Sequence, residues 1–238
     1  MNKLFGLNFY NKEIEDLIID LENDIKCKNK VTVFTPNVDH IINNKSNMKV
    51  EKLYEKSDYI ISDGWPLVVT GRLKKKKIKR ITGVDLMDQL LILANKNKYN
   101  LFFLGATDET LMLLKKNIES KYPNLGSVSY HHGFFSNDDE VISKINSTEN
   151  NILFVGMGNP KQEIWIRENY ERLNSNIILG VGGALKIFSE EVERAPKLIQ
   201  CIGMEWFYRF TKEPKRLFSR YFIKYPSFIG ILIKELVN

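Results

Sequence analysis

The sequence is poor in the residues that form disulfides, metal sites and nucleophilic catalytic sites. Its 238 residues include two cysteines, Cys27 and Cys201, and three histidines. The cysteines lie far apart without metal-like spacing, which favours idle or buried thiols in a reducing compartment. No serine, histidine and acid set can be placed, and no HxxxH pair or carboxylate cluster stands where a metal would be expected. The sequence therefore predicts neither a metal site nor a cofactor.

Long apolar runs are also absent. No stretch of about 18 uninterrupted apolar residues exists, which predicts that no helix spans a membrane. Residues 1–17 lack the apolar run of a signal peptide. The apolar share of 43% and the charged share of 27% are ordinary for a globular protein. We therefore expect a folded, cytoplasmic protein.

The net charge of +6 lies at one end of the chain. Residues 194–238 hold nine lysines and arginines against three acids, which accounts for the whole excess. Nine aromatic residues fall between Trp206 and Phe228, and they alternate with Arg209, Arg216 and Arg220. Because Arg216 and Arg220 are four residues apart, we expect them to share a helix face.

This basic, aromatic segment permits three interpretations. Tryptophan and tyrosine favour the lipid–water interface, and cations attract anionic head groups or a diphosphate, so we predict a helical, membrane-associating appendage over residues 196–238. A helix packed on the core with its charges outside would use the same residues. A nucleic-acid-binding tail would also do so, but no nucleic-acid-binding module surrounds the segment, and we expect no nucleic acid as a partner.

The rest of the chain alternates strand and helix patterns. Short apolar runs predict strands at residues 31–35, 59–62, 101–105, 127–131, 152–156 and 177–181. Apolar residues at helical spacing lie between them, and Asp108 is the predicted N-cap of one such helix. Alternating strands and helices with short connections predict an α/β fold over residues 1–195. We expect a Rossmann-like, mostly parallel sheet with helices on both faces.

Polar residues follow the strands at the edge where parallel sheets bind ligands. Asp63 follows the second predicted strand, and a partly desolvated carboxylate there suits a general base. A helix N-cap is the equally simple interpretation of Asp63. Thr35 and Asn37 bring neutral hydrogen-bonding groups to the same edge, although an Asx or proline turn would also explain them.

Glycine-rich turns at the same edge suit phosphate groups. Gly105 ends one strand, and Gly156, Gly158 and Lys161 follow another, with Pro160 predicted near the first helical position. Free backbone N–H groups and Lys161 could then face an anion. Gly182 and Gly183 offer a second close backbone approach. Ordinary strand-to-helix turns would show the same residues, and neither turn matches the dinucleotide or Walker patterns.

Seven blocks of sequence together resemble the WecG/TagA/CpsF glycosyltransferases of bacterial surface-polymer synthesis. The resemblance runs from about residue 4 to residue 225, in matching order and spacing. The blocks are residues 35–40 (TPNVDH), 62–66 (SDGWP), 80–87 (RITGVDLM), 104–106 (LGA), 156–163 (GMGNPKQE), 180–183 (GVGG) with 194–196 (RAP), and 203–206 (GMEW) with 213–216 (EPKR).

The resemblance implies a Rossmann-like fold and an inverting, metal-independent transfer from a UDP-sugar. In the teichoic-acid members the donor is UDP-N-acetylmannosamine, and the acceptor is undecaprenyl-diphosphate-linked N-acetylglucosamine. The family also implies a peripheral location on the inner face of the cell membrane. Its implied site residues are Asp63 as base, Thr35 and Asn37 at the acceptor, Arg80 and Gln162 at the sugar or diphosphate, and Arg209, Arg216 and Arg220 over the lipid diphosphate.

Two departures from the family pattern leave the donor open. Trp65 and Pro66 stand where smaller residues are expected, and residues 186–188 replace an aromatic-aspartate pair; both changes are expected to border the sugar pocket. A glucosyl, glucuronosyl or N-acetylmannosaminuronosyl donor is therefore an alternative. A non-catalytic nucleotide-binding module with a membrane- or nucleic-acid-binding tail is the alternative from another class. A homo-oligomer also stays open.

Overall fold

The computed structural model describes residues 2–46 and 48–237. The strands in this part of the chain are β1 (Lys3–Leu4), β2 (Leu7–Asn8), β3 (Val31–Phe34), β4 (Tyr59–Ile60), β5 (Leu101–Gly105), β6 (Val128–His131), β7 (Asn150–Gly156) and β8 (Ser175–Gly180). The α-helices are α1 (Ile14–Lys26), α2 (Val38–Ser46), α3 (Met48–Glu55), α4 (Trp65–Leu73), α5 (Gly83–Asn97), α6 (Asp108–Lys121), α7 (Asp138–Asn146), α8 (Lys161–Asn169), α9 (Ala184–Phe188), α10 (Lys197–Cys201), α11 (Glu205–Lys212), α12 (Pro214–Phe218) and α13 (Pro226–Val237).

Strands β3 to β8 form one parallel sheet in the order β4-β3-β8-β7-β5-β6. All six predicted strands are present, and the predicted α/β class with a parallel sheet is confirmed. Strand β4 is shorter than predicted because Ser62 leaves the ladder and forms a single parallel bridge with Arg80. That bridge brings Arg80 beside the residue after Ser62, which is Asp63.

The small hairpin of β1 and β2 was not predicted, since each strand has only two residues. Its turn residues Phe5 and Gly6 both have positive φ angles, of 53° and 86°. Positive φ at both central residues is typical of a tight hairpin turn.

Apolar side chains cover both faces of the sheet. Alternate residues of β5 point to opposite sides, so that Phe103 belongs to one core cluster and Phe102 to the other. Helices α1, α5 and α6 cover the first face, and α2, α7 and α8 cover the second. The predicted helices on both faces are therefore confirmed.

The start of α6 differs from the prediction by one residue. Thr107 is the N-cap, and its Oγ1 accepts a hydrogen bond from the backbone N–H of Thr110 at 3.3 Å. Asp108, the predicted cap, is instead the first helical residue. A carboxylate in this first turn still interacts favourably with the helix dipole.

Residues 197–237 are largely helical, as predicted, and they contact the core. Leu217 and Phe228 are 2% and 7% exposed. The carboxylate of Asp39 on α2 forms an ion pair with the ammonium of Lys224 at 3.1 Å and a second one with the guanidinium of Arg220. No helix in residues 2–46 and 48–237 is long and apolar enough to cross a membrane. The boundary at residue 195 and the membrane association stay predictions.

The two arginines that were expected to share a helix face lie in different elements, Arg216 in α12 and Arg220 in the π-helical turn Ser219–Lys224 that follows it. The backbone N–H of Tyr225 donates to the carbonyl of Arg220 at 3.0 Å, five residues earlier, which is the π-helical spacing. Arg216 on α12 pairs with Glu213, whereas Arg220 pairs with Asp39. The two side chains therefore serve different partners.

Candidate functional site

The strand order collects the predicted site residues along one edge of the sheet. From one side to the other, the segments after β4, β3, β8, β7 and β5 begin with Ile61, Thr35, Val181, Met157 and Ala106. Because all these strands are parallel, their carboxyl ends lie at the same edge. The sequence-predicted groups are thus neighbours across consecutive strands.

Asp63 lies half-buried at this edge, and its backbone N–H donates to the carbonyl of Pro36 at 3.0 Å. It does not cap a helix, because the N-cap of α4 is Gly64 and no side chain caps it. Among the described residues, none donates a hydrogen bond to the Asp63 carboxylate. Burial raises the pKa of Asp63, the charge of Glu205 also raises it, and Arg209 and Arg80 lower it. A carboxylate of this kind is suited to accept a proton.

Three charged side chains next to Asp63 form one ion-paired group. Glu205 on α11 accepts Arg80 Nη2 at 2.7 Å and Arg209 Nη2 at 3.0 Å. Glu205 is 13% exposed and Arg80 18% exposed. The Nε of Arg80 is buried without a hydrogen-bond partner among the described residues. Through Glu205 and Arg209, the C-terminal segment therefore brings one negative and one positive charge to the Asp63 site. Sequence reasoning assigned no role to Glu205.

Thr35 and Asn37 lie next to Asp63 but already have protein partners. Thr35 Oγ1 donates to the carbonyl of Gly180 at 3.2 Å, and the residue is buried. Asn37 Oδ1 accepts the backbone N–H of Asp39 at 3.0 Å, which is the Asx turn that was the simpler interpretation. Their contact with an acceptor stays a prediction.

A buried acid and histidine lie beneath this edge, and sequence reasoning did not assign them. His40 Nε2 is 3.5 Å from Glu163 Oε1, and the Glu163 side chain is fully buried. Glu163 also accepts hydrogen bonds from Gln162 Nε2 at 2.7 Å and Asn159 Nδ2 at 3.1 Å. On its other side, His40 Nδ1 contacts Asn37 Oδ1 at 2.8 Å. The network links the β7 turn to the β3 turn, so it fixes the floor of the site.

Gln162 joins the two glycine turns. Its Oε1 accepts the backbone N–H groups of Gly158 at 3.3 Å and Gly182 at 3.0 Å, and the residue is 1% exposed. The N–H of Gly158, which was expected to be free for an anion, is therefore occupied by Gln162, and so is that of Gly182; contact of these two turns with a ligand stays a prediction. With its amide nitrogen on Glu163, Gln162 has both amide ends engaged. Direct contact of Gln162 with a ligand stays a prediction.

The predicted glycines fall into two groups. A Cβ on Gly105 would lie 2.5 Å from the carbonyl oxygen of Gly156, and one on Gly156 would lie 2.5 Å from Leu185 Cδ1. These two glycines are required by packing between neighbouring strand ends. By contrast, a Cβ on Gly158 or Gly183 would have no atom within 4 Å. The backbone at Gly158 and Gly183 is therefore open to close approach by a ligand.

Lys161 lies at the far half of the edge from Asp63. Its Nζ donates to the carbonyl of Gly133 at 3.1 Å and lies 5.7 Å from the centre of the Phe135 ring. The side chain is exposed. Pro160 is the N-cap of α8, one residue earlier than predicted. In this position Lys161 points toward the β5 side of the edge, and its contact with a ligand stays a prediction.

Trp65 is held by contacts with the C-terminal segment. Its indole N–H donates to the carbonyl of Gln200 at 3.2 Å, and its ring contacts Gly203. The guanidinium carbons of Arg72 and Arg80 lie 5.8 and 5.9 Å from the ring centre. Trp65 therefore forms a contact between α4 and the C-terminal helices.

Within residues 2–46 and 48–237, no three His, Cys, Asp or Glu side chains are grouped to hold a metal ion.

Nearly the whole chain is similar to proteins of one known family. Residues 2–238 match the sequence model of the glycosyl transferase WecG/TagA/CpsF family. The N-acetylglucosaminyldiphosphoundecaprenol N-acetyl-beta-D-mannosaminyltransferases of Staphylococcus aureus strains MW2 and MRSA252 are each 31% identical over 218 residues. The alignments cover 90% of this chain and 85% of each relative.

A match over nearly the whole chain decides between the classes considered above. The non-catalytic nucleotide-binding module is set aside, because both the family and the relatives are transferases. The chain belongs to the WecG/TagA/CpsF family of glycosyltransferases and is a hexosyltransferase.

Proposed function

We propose that this protein is an inverting glycosyltransferase that moves N-acetylmannosamine from UDP-N-acetylmannosamine to a polyprenyl-diphosphate-linked N-acetylglucosamine without a metal ion. The named activity of the S. aureus relatives supports the donor and the acceptor. The observation that carries the proposal is the position of Asp63, a half-buried carboxylate with a raised pKa at the ligand-binding edge of the sheet, flanked by two guanidiniums.

In the proposed reaction, Asp63 removes the proton from a hydroxyl of the acceptor sugar. The hydroxyl oxygen attacks the anomeric carbon from the face opposite UDP, and the bond from that carbon to the diphosphate oxygen breaks. UDP leaves with the bonding electron pair, and the proton stays on Asp63 until solvent takes it. One displacement of this kind inverts the anomeric centre.

The charge that develops on the diphosphate has to be balanced by the protein. Arg80 and Arg209 are close enough to Asp63 to lower the pKa of its carboxyl, and each is held by Glu205. An incoming diphosphate could compete with Glu205 for both guanidiniums, and the unpartnered Nε of Arg80 offers one further donor. The open backbone at Gly183 lies on a neighbouring turn. Gln162 acts here by holding the turns that carry these groups.

We also propose that the C-terminal segment places the enzyme on the inner face of the cell membrane. Aromatic residues on this segment remain about half exposed, with Trp206 at 44%, Phe218 at 52% and Phe222 at 53%. Exposed rings interleaved with arginines favour the lipid–water interface. The acceptor is anchored in that interface by its lipid, so the enzyme and acceptor would meet there.

Replacing Asp63 by asparagine tests the proposed base. Loss of a general base typically lowers turnover by about 10²–10⁴-fold. We therefore expect Asp63→Asn to lower UDP release by this order when UDP-N-acetylmannosamine and the lipid-linked acceptor are mixed. Binding of UDP and the unfolding temperature should stay close to those of the wild type. Near-normal turnover in Asp63→Asn would exclude Asp63 from this role.

A matched control is Asp88→Asn, because Asp88 lies on α5 and pairs with Lys121 and Tyr122 away from the site.

The wild-type assay should include EDTA and a panel of UDP-glucose, UDP-glucuronate and UDP-N-acetylmannosaminuronate. Transfer from UDP-N-acetylmannosamine that persists in EDTA supports the proposal. Faster transfer from another donor would overturn the proposed donor. Loss of activity in EDTA that Mg²⁺ restores would overturn the metal independence.

A further inference from the structure

An apolar cleft of about 330 Å³ lies between α4 and the C-terminal helices. One wall is formed by side chains of α4, and the other by side chains of α11 and α13. The lining residues include Trp65, Val69 and Leu73 on the first wall and Trp206, Phe228 and Leu232 on the second. The cleft begins at Trp65, two residues after Asp63, so it adjoins the proposed active site.

The cleft has few polar groups to offer a ligand. The Trp65 indole N–H is bonded to the carbonyl of Gln200, and the Thr70 hydroxyl donates to the carbonyl of Pro66 at 2.7 Å. A Cβ on Gly203 would lie 2.7 Å from Trp65 Cδ1, so this glycine allows the indole to pack closely against the second wall. An occupant of the cleft must therefore be apolar.

The two ends of the cleft offer a ligand different groups. At the Trp65 end, the guanidinium carbons of Arg72 and Arg80 lie 5.8 and 5.9 Å from the indole centre. At the other end, Leu73 is 63% exposed, and the ammonium of the next residue, Lys74, is bonded to the carbonyl of Glu235 at 2.6 Å. The cleft therefore runs from two guanidiniums at Trp65 to an exposed leucine beside an ammonium that already has a partner. A molecule with a diphosphate at one end and a hydrocarbon chain at the other matches this order.

We infer that the cleft binds the first isoprenoid units of the polyprenyl acceptor, with the acceptor diphosphate at the Trp65 end of the cleft and the remaining chain leaving past Leu73. This inference rests on the proposed function for the identity of the acceptor. The cleft would then set the position of the acceptor sugar relative to Asp63, because the diphosphate between chain and sugar is held at a fixed distance from Trp65.

Direct binding can be measured without catalysis, because two of the three tryptophans of the chain line the cleft. The third, Trp165, is 5% exposed and contacts Phe135 instead. Farnesyl diphosphate should shift the intrinsic fluorescence in a saturable way, whereas inorganic pyrophosphate should not. An equal response to pyrophosphate would overturn the isoprenoid site in favour of an anion site. Equal affinity for dodecyl phosphate would overturn it in favour of a site for any hydrocarbon chain.

Substitution of an exposed lining residue tests the same cleft with little effect on folding. Leu73→Gln should weaken farnesyl diphosphate binding at least threefold. The matched control is Met112→Gln on α6, since Met112 is 70% exposed and lies outside the cleft. An equal loss in both variants, or no loss in either, would overturn the inference. If the protein self-associates as its concentration rises and thereby loses farnesyl diphosphate binding, the cleft would instead be an interface with a second copy of this chain, and the inference would be overturned.

A kinetic test separates this inference from the proposed function. Each buried methylene contributes a factor of about four in affinity, so several added carbons give at least a tenfold effect. The KM for N-acetylglucosamine diphosphate carrying a farnesyl chain should therefore be at least ~10-fold lower than with a dimethylallyl chain. Equal KM values with normal transfer would overturn the cleft alone. Farnesyl diphosphate binding without transfer from any donor would overturn the proposed function alone.

Discussion

Glu205 is the residue whose replacement tests the electrostatics of the site most directly. It joins Arg80 at 2.7 Å and Arg209 at 3.0 Å, and it lies near enough to Asp63 to raise the pKa of that carboxyl. Glu205→Gln keeps the shape of the side chain, removes its charge and replaces one of its two accepting oxygens with an amide nitrogen. The variant should therefore change both the stability of the protein and the protonation of Asp63.

The loss of stability follows from the exposure of each ion pair. Breaking a fully buried pair by removing one partner costs about 3–5 kcal/mol, and an exposed pair contributes about 0–1 kcal/mol. Arg80 is 18% exposed, so its pair lies nearer the buried case, whereas Arg209 is 39% exposed and screened by solvent. We expect a total of about 2–3 kcal/mol, which lowers the unfolding temperature by about 4–12 °C for a domain of this size.

The pH dependence has a definite sign. The negative charge of Glu205 raises the pKa of Asp63, so Glu205→Gln should lower it. Asp63 then stays deprotonated to more acidic pH, and the acid limb of the kcat/KM profile moves to lower pH. Arg209 acts in the opposite sense, so Arg209→Gln should move the same limb to higher pH. Opposite shifts from two neighbours of Asp63 would identify it as the titrating base.

The assay is UDP release measured from about pH 4 to pH 9 for the wild type and both variants. Glu213→Gln is the control, because Glu213 pairs with Arg216 in the same C-terminal segment and does not contribute to the pKa of Asp63. Its acid limb should coincide with that of the wild type. Shifts in the same direction for Glu205→Gln and Arg209→Gln would refute the assignment, and so would no shift in either.

Two further predictions concern the glycine turns and Gln162. Gly105→Ala places a Cβ 2.5 Å from the Gly156 carbonyl at a φ of +134°, so it should lower the free energy of unfolding in urea by at least about 2 kcal/mol. The Cβ of Gly183→Ala meets no atom within 4 Å, so this variant should leave the free energy of unfolding almost unchanged. If the donor approaches this backbone, Gly183→Ala should instead raise the KM for the donor. Gln162→Ala removes three hydrogen bonds that link Gly158, Gly182 and Glu163, and it should cost about 2–4 kcal/mol in the same unfolding assay. Equal stability of the two glycine variants, or an unaltered Gln162→Ala, would contradict the packing described for these turns.

Local sequence patterns were sufficient to predict the six strands of the main sheet and the helices that cover it. Short apolar runs separated by amphipathic stretches predicted the six sheet strands and the helices on both faces, because burial on two sides leaves a continuous apolar pattern. The position of Asp63 after β4 was also predicted, since its strand and the following glycine are contiguous in sequence. Short elements were missed or displaced, as with the two-residue strands β1 and β2 and the N-cap Thr107.

By itself, the sequence determined the α/β class, the family and the group of residues that collects at one edge of the sheet. Only the tertiary structure decided which of those residues are free to meet a ligand. The Gln162 amide occupies the N–H groups of Gly158 and Gly182, and Glu205 pairs with Arg80 from 125 residues away. Such partners are distant in sequence and come together only when the C-terminal helices pack on the core, so no local pattern records them.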